Sequence, residues 1–240
     1  MDPLIVFFAV MAFTAGTING AFGVGGGVML ISCLPGRVIP SAIVPLHGLS
    51  ILANNIFRAA LDWKCIRWHI VLQFMIGAVA GTLLALPVLD SIPAERIPLL
   101  LGIGIFVMVW LPRFSISTLL PAPYFCCGLL QTFLSMLIGA TGPLVMLFFL
   151  NRGFTRDELI AHNAIVKAGA DIVKMVGFIS MGFPYADFLP EIAALAGGMT
   201  TGAFVGKKLR GCFSPKVFTL IIKLLISGLA IRMIVTNLMG

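Results

Sequence analysis

Charge is what this sequence has least of. Of its 240 residues only 10% are charged, and nine are Asp or Glu. Soluble domains carry about 25% charged residues, because their surface must meet water. Here 60% of the residues are hydrophobic, so polar surface is too scarce to cover a globule, and a soluble enzyme is excluded. Motifs for hydrolysis or prenyl transfer are also missing: there is no HExxH, no GxSxG and no Asp-rich diphosphate sequence. A membrane-embedded enzyme is therefore disfavoured. The five cysteines (Cys33, Cys65, Cys126, Cys127, Cys212) lack CxxC or metal-ligand spacing, so no metal, cofactor or disulfide is expected. Adjacent Cys126 and Cys127 read as small packing residues. The opening Met1-Asp2-Pro3-Leu4 lacks the basic region of a cleavable leader, so the first apolar segment is expected to be retained.

What the chain has in abundance is apolar runs. They cover 4–36, 41–57, 69–89, 97–111, 117–150, 159–181, 186–206 and 217–238. A membrane span needs about 20 mostly apolar residues, so these runs predict an all-α, multi-pass membrane protein with no separate soluble domain. The net charge of +7 sits mainly in short connections, such as Lys64 and Arg67, or Lys207, Lys208 and Arg210. That distribution follows positive-inside orientation rather than a nucleic-acid patch. The expected surroundings are a lipid bilayer, with room for a homodimer and no nucleic acid.

The chain repeats itself. Gly23-Val24-Gly25-Gly26-Gly27 aligns with Gly139-Ala140-Thr141-Gly142-Pro143 at an offset of 116, and the same offset pairs His47 with Asn163, Asn55 with Asp171 and Arg58 with Lys174. An insertion near Met181–Tyr185 shifts the offset to 121, which pairs Gly77 and Gly81 with Gly198 and Gly202. Pro93 and Pro215 then match at an offset of 122. Paired glycines, polar residues and prolines in one order point to duplication, with a first repeat over 1–116 and a second over 117–240.

Each half opens with a long glycine-interrupted segment, roughly 3–34 and 117–150. As one helix, 32 residues would reach about 48 Å against a hydrocarbon core of about 30 Å. That is too long for one upright span and too short for two. Equivalent loops also carry opposite charge. Loop 61–68 is basic and its counterpart 180–191 acidic, while loop 89–96 is slightly acidic and its counterpart 207–216 basic. Inverting the second half puts Arg58, Lys64, Arg67, Arg113, Arg152, Arg156, Lys207, Lys208, Arg210 and Lys216 on one side, leaving Arg37 and Arg96 opposite. The expected architecture is therefore two inverted repeats, each a glycine-broken re-entrant hairpin plus three transmembrane helices, with both termini extracytoplasmic.

Chain breaks inside a membrane are tolerated only against protein or a wet cavity. After each break a half-helix begins, at about Gly27 and Pro143, and its free N–H groups and positive dipole end face the break. Glycine lets a ligand approach the backbone, and proline suits a first helical turn. Two such ends form an anion site from Gly23 to Gly27 and from Gly139 to Pro143. Close helix packing is the alternative use of such glycines; it is the preferred reading for Gly77, Gly81, Gly198 and Gly202.

The next segment of the second half places Asn163, Lys167, Asp171 and Lys174 on one helical face. In the first half His47, Asn55 and Arg58 hold three equivalent positions, with Ile51 in place of Lys167. Charges left in lipid cost about 2.5–3.5 kcal/mol each, so this face should point inward and be paired. Lys167 and Asp171, four residues apart, are expected to pair. Beyond packing, Lys167 can supply positive charge to an anion and Asp171 can take up and release a proton. His47 and Asn163 are the expected side-chain ligands. Arg58 and Lys174, nearer the segment ends, are expected to snorkel to the interface. Trp63, Trp68 and Trp110 fall at span ends and read as interfacial anchors.

These motifs resemble the TauE/SafE family of sulfite exporters. The likeness rests on Gly23-Val24-Gly25-Gly26-Gly27, its echo Gly139-Ala140-Thr141-Gly142-Pro143, the stretch Leu61-Asp62-Trp63-Lys64, and Gly77-Ala78-Val79-Ala80-Gly81, in that family's order over nearly the full chain. It implies an inner-membrane secondary transporter of sulfur-containing anions such as sulfite or sulfonates. Thr141 departs from the glycine found at Gly25 in the first half; its hydroxyl either donates to substrate or caps the half-helix. Alternating-access transport, with or without coupled protons, is the leading expectation, and an uncoupled anion channel is the alternative.

Overall fold

The computed structural model describes residues 3–22, 25–61, 63–110, 122–139, 141, 144–145, 148–149 and 154–209, together with helical positions among 224–235. Eight α-helices are delimited within it: α1 (Pro3–Phe22), α2 (Gly26–Cys33), α3 (Ile43–Leu61), α4 (Trp68–Asp90), α5 (Ile97–Trp110), α6 (Pro123–Ile138), α7 (Arg156–Ser180) and α8 (Leu189–Lys208). No strand occurs among the described residues. Three helical stretches are long and apolar enough to cross a membrane: Pro3–Ala21, Trp68–Asp90 and Tyr185–Lys208. Their outer faces are apolar too. Leu72, Leu83 and Leu84 on α4, and Val10 on α1, are more than half exposed, as suits contact with lipid tails rather than water.

Glycine pairs set the helix contacts. On α8, Gly198, Gly202 and Gly206 lie against the α1 backbone at Ala9, Phe13 and Thr17, and on α1, Gly16 and Gly20 lie against Met199 and Ala203. On α4, Gly77 and Gly81 lie against Phe125 and Leu129 of α6, while Gly128 of α6 meets Phe74. A Cβ at these points would collide with main chain, so small residues let the helices close on one another. The packing role expected for Gly77, Gly81, Gly198 and Gly202 is what they perform.

After α1 the chain turns back along it. Gly26 lies against Ala15 and Asn19 of α1, and the Arg37 guanidinium sits 4.0 Å over the Phe7 ring. The 3₁₀ turns Pro40–Ala42 and Ala94–Arg96 touch each other, so the entry to α3 and the link from α4 to α5 share one end of the bundle. At the other end, Arg67 before α4 binds Glu158 in the first turn of α7, with Nη2 2.6 Å from Oε1. Helix α3 and helix α7 run antiparallel: Gly48 faces Lys174 and Asn55 faces Asp171. Thr155 and Glu158 cap α7 reciprocally, the Thr155 hydroxyl accepting from the Glu158 N–H and the carboxylate accepting from the Thr155 N–H at 2.9 Å.

The three tryptophans lie at element ends and are 51–60% exposed. Snorkelling of Arg58 and Lys174 is not what the structure shows. Arg58 is 4% and Lys174 2% exposed; both lie inside the bundle, because α3 and α7 pack face to face along their polar stripes.

Candidate functional site

A helix ends at each of the two glycine segments. Helix α1 ends at Phe22 and α2 starts at Gly26, after Gly25 at φ +99°. Helix α6 ends at Ile138, followed by Gly139 at φ +76°. These left-handed values favour glycine, which carries no Cβ to clash. Gly139 is pressed onto the Ile31 side chain of α2, with Leu101 behind it. The second break therefore sits on the half-helix that begins at the first. Among the predicted break residues, Gly23, Val24, Ala140, Gly142 and Pro143 lie outside the described residues.

Helix α2 starts without a side-chain cap. Its first-turn N–H groups, on Gly26, Gly27 and Val28, have no intrahelical carbonyl to meet, as at any helix start. Into this turn comes His47 of α3, 2% exposed, with Nε2 2.9 Å from the Gly27 oxygen. A carbonyl only accepts, so Nε2 donates and Nδ1 carries the lone pair. That Nδ1 is buried with no hydrogen-bond partner. His47, expected as a side-chain ligand, thus lies beside the half-helix that follows the first break; Ile51, its neighbour on the stripe, also touches Gly27.

The centre of the bundle holds a charged clamp. Lys174 Nζ lies 2.6 Å from Asp171 Oδ1 and donates to Ser135 Oγ of α6 at 2.8 Å. Asn55 Nδ2 of α3 donates to Asp171 Oδ2 at 3.3 Å. The expected pair of Lys167 with Asp171 thus gives way to Asp171 with Lys174, because Lys174 is the lysine that points between α3 and α6, where Ser135 takes another of its protons. Lys167 is partly buried and has no ion-pair partner among the described residues. Asn163 is 1% exposed, and its Oδ1 is likewise without a partner.

Thr141 is 2% exposed and tied to α6. Its hydroxyl accepts from Gln131 Nε2 at 3.0 Å and donates to the Gln131 main-chain oxygen at 3.4 Å. The single hydroxyl proton is therefore spent within the protein, which favours a bracing role for Thr141.

Several polar residues escaped the sequence reading. Asn19 of α1 donates to Asn54 Oδ1 at 2.8 Å, and Asn54 donates to the Met199 oxygen of α8 at 2.9 Å, joining three helices. Ser135 serves Lys174. A signal existed, since Asn19 and Ser135 fall at the repeat offset of 116. His162, on which no role was placed, uses both ring nitrogens: Nδ1 is 2.7 Å from the Glu158 oxygen, and Nε2 accepts from the Arg67 N–H at 2.8 Å.

At the end of the bundle opposite Arg67 a cavity of about 360 Å³ is lined by Ser41, Asp90, Phe178 and Phe183 among others. Phe178 lies one turn beyond Lys174 on α7. The described residues contain no cluster of His, Cys, Asp and Glu able to hold a metal ion.

Compared with known proteins, the chain matches no curated protein and no solved structure. Over residues 8–233 it matches the family described as sulfite exporter TauE/SafE. That match spans nearly the whole chain, so this chain belongs to the TauE/SafE family of sulfite exporters.

Proposed function

We propose that the protein is a secondary transporter that moves a small sulfur-containing anion, sulfite or an organosulfonate, across the inner membrane by alternating access. The observation that carries this reading is the seat of Gly139 on Ile31. It brings the second break to α2, the half-helix that follows the first, which supports a shared site where amide hydrogens of both breaks meet one negative charge. The anion ligands in this proposal are residues 23–27 and 139–143, with His47, Asn163 and Lys167. Lys167 supplies the positive charge, because Asp171 is already matched by Lys174. Protonating Asp171 would release Lys174 and weaken the Asn55 hydrogen bond that joins α7 to α3, and so would tie proton uptake to movement of α7 against α3.

The proposed scaffold is a pair of inverted repeats with re-entrant hairpins. Three features support it. The contacts Gly77–Phe125 and Gly81–Leu129 are the counterparts, at offsets 121 and 116, of Gly198–Ala9 and Gly202–Phe13. Equivalent helices α3 and α7 run antiparallel. The return of Arg37 to Phe7 fits a segment that enters and leaves on one side. Lys64, Arg67, Lys207 and Lys208 fall at one end, which positive-inside reasoning assigns to the cytoplasm.

The test is counterflow of labelled sulfite in proteoliposomes. At clamped voltage, a transporter in vesicles preloaded with unlabelled sulfite transiently concentrates the label above its outside level; label that only equilibrates, as through a channel, would sink this proposal.

A further inference from the structure

His47 holds a commitment and a vacancy of hydrogen bonding at once. Its Nε2–H is committed to the Gly27 oxygen at 2.9 Å, in the first turn of α2. Its Nδ1 lone pair is buried without a donor, which is costly unless a ligand completes it. Glycine at 27 lets α3 close on this turn, since a Cβ there would collide with Ile51 and lie 3.5 Å from Nε2. The charged groups that face the imidazole are Lys174 and Lys167, both on α7. On the other helices packed against α3, the titratable residues Cys33, Tyr124, Cys126, Cys127, Glu191, Lys207 and Lys208 lie in terminal turns, and on α3 itself there is Arg58 in the last turn. No carboxylate in that set lies beside Nδ1 to be its partner, and neither lysine donates to it among the described hydrogen bonds.

We infer that the site takes an oxyanion bearing one acidic O–H, which donates to His47 Nδ1 while the other oxygens accept from the first-turn amides of α2. This deepens the proposed function and rests on it. A fully deprotonated oxyanion or a sulfonate would bring lone pairs against the Nδ1 lone pair, with nothing between them. One proton therefore enters with each anion, held against His47 and separate from any taken up by Asp171. The chemical class is the hydrogen form of an anion whose last ionisation falls near neutrality, and His47 is the residue that selects it.

The experiment compares labelled sulfite with labelled methanesulfonate, which has no such proton, in proteoliposomes of the whole chain. Wild-type uptake of sulfite should follow its hydrogen form, falling about ten-fold per pH unit above the second ionisation, and methanesulfonate should enter about ten-fold or more slowly. His47→Gln keeps a donor for the Gly27 oxygen but has no counterpart of Nδ1. In that variant the protons entering per anion, read with a trapped pH dye, should fall by one, and the preference over methanesulfonate should vanish. Equal, pH-independent wild-type uptake of both anions would overturn the inference while leaving the transporter reading intact, and so would an unchanged proton count in His47→Gln. Should His47→Gln fail to fold, the wild-type comparison alone decides. Wild-type vesicles that carry neither anion would overturn the transporter reading and this inference with it.

Discussion

Asn55 and Asp171 share a hydrogen bond of 3.3 Å across the middle of the bundle, and they stand 116 residues apart, the same offset that relates the two halves of the chain. Under the inverted-repeat reading, residues that superpose on each other also touch each other, so the pseudo-two-fold axis passes between them. One half contributes a neutral amide there and the other a carboxylate. The amide serves as donor to the carboxylate, and the charge asymmetry of the whole stripe starts at this point.

Removing the negative charge from that contact should be severe. Asp171→Asn leaves Lys174 buried without a counter-charge, a change that costs about 3–5 kcal/mol in comparable buried pairs. The variant should lose thermal stability in detergent. Replacing both members, Asp171→Leu with Lys174→Leu, should recover most of that stability. A double variant no more stable than the single one would mean that the ion pair is not what fails.

Two glycines on α8 form a matched pair. Gly202 lies against the Phe13 main chain, whereas Gly197 has nothing within 4 Å of where its Cβ would be. Gly202→Ala should therefore lower the melting temperature, with overpacking of about 1–3 kcal/mol. Gly197→Ala should be neutral or raise stability by about 0.5–1 kcal/mol through helix propensity. Equal effects at the two sites would contradict the α1–α8 contact.

Lys167 carries the proposed anion charge but holds no ion pair among the described residues. Lys167→Ala should abolish sulfite uptake in proteoliposomes without lowering the melting temperature. Uptake at the wild-type rate would remove Lys167 from the mechanism.

Thr141 is braced by Gln131 through two hydrogen bonds. Thr141→Val keeps the shape and strands the Gln131 amide, at a cost of about 1–3 kcal/mol. Anion selectivity should stay as in wild type. A changed order of preference among sulfite and sulfonates would instead give the hydroxyl a direct part in binding.

Orientation can be read from labelling. With Lys64 and Arg67 facing the cytoplasm, an impermeant maleimide added to intact cells should modify Glu95→Cys and not Lys64→Cys in a background lacking the native cysteines. The reverse pattern would invert the assigned topology.

Composition and periodicity carried much of this protein, because both are local properties. Scarce charge put the chain in a bilayer, glycine runs marked where helices stop at Phe22 and Ile138, and the spacing from Asn163 to Lys174 set one polar face of α7. Pairing across the bundle was not legible in the same way. Spacing suggested Lys167 as the partner of Asp171; the position of Ser135 on α6 drew Lys174 in instead. Helix length suggested that Arg58 and Lys174 reach the surface, whereas face-to-face packing of α3 and α7 buries them. The reach of His47 to the Gly27 oxygen, of Asn54 to Met199 and of Gln131 to Thr141 each depends on where two helices come to lie. Sequence offsets state which residues correspond, but only the tertiary arrangement brings donors and acceptors to hydrogen-bonding distance.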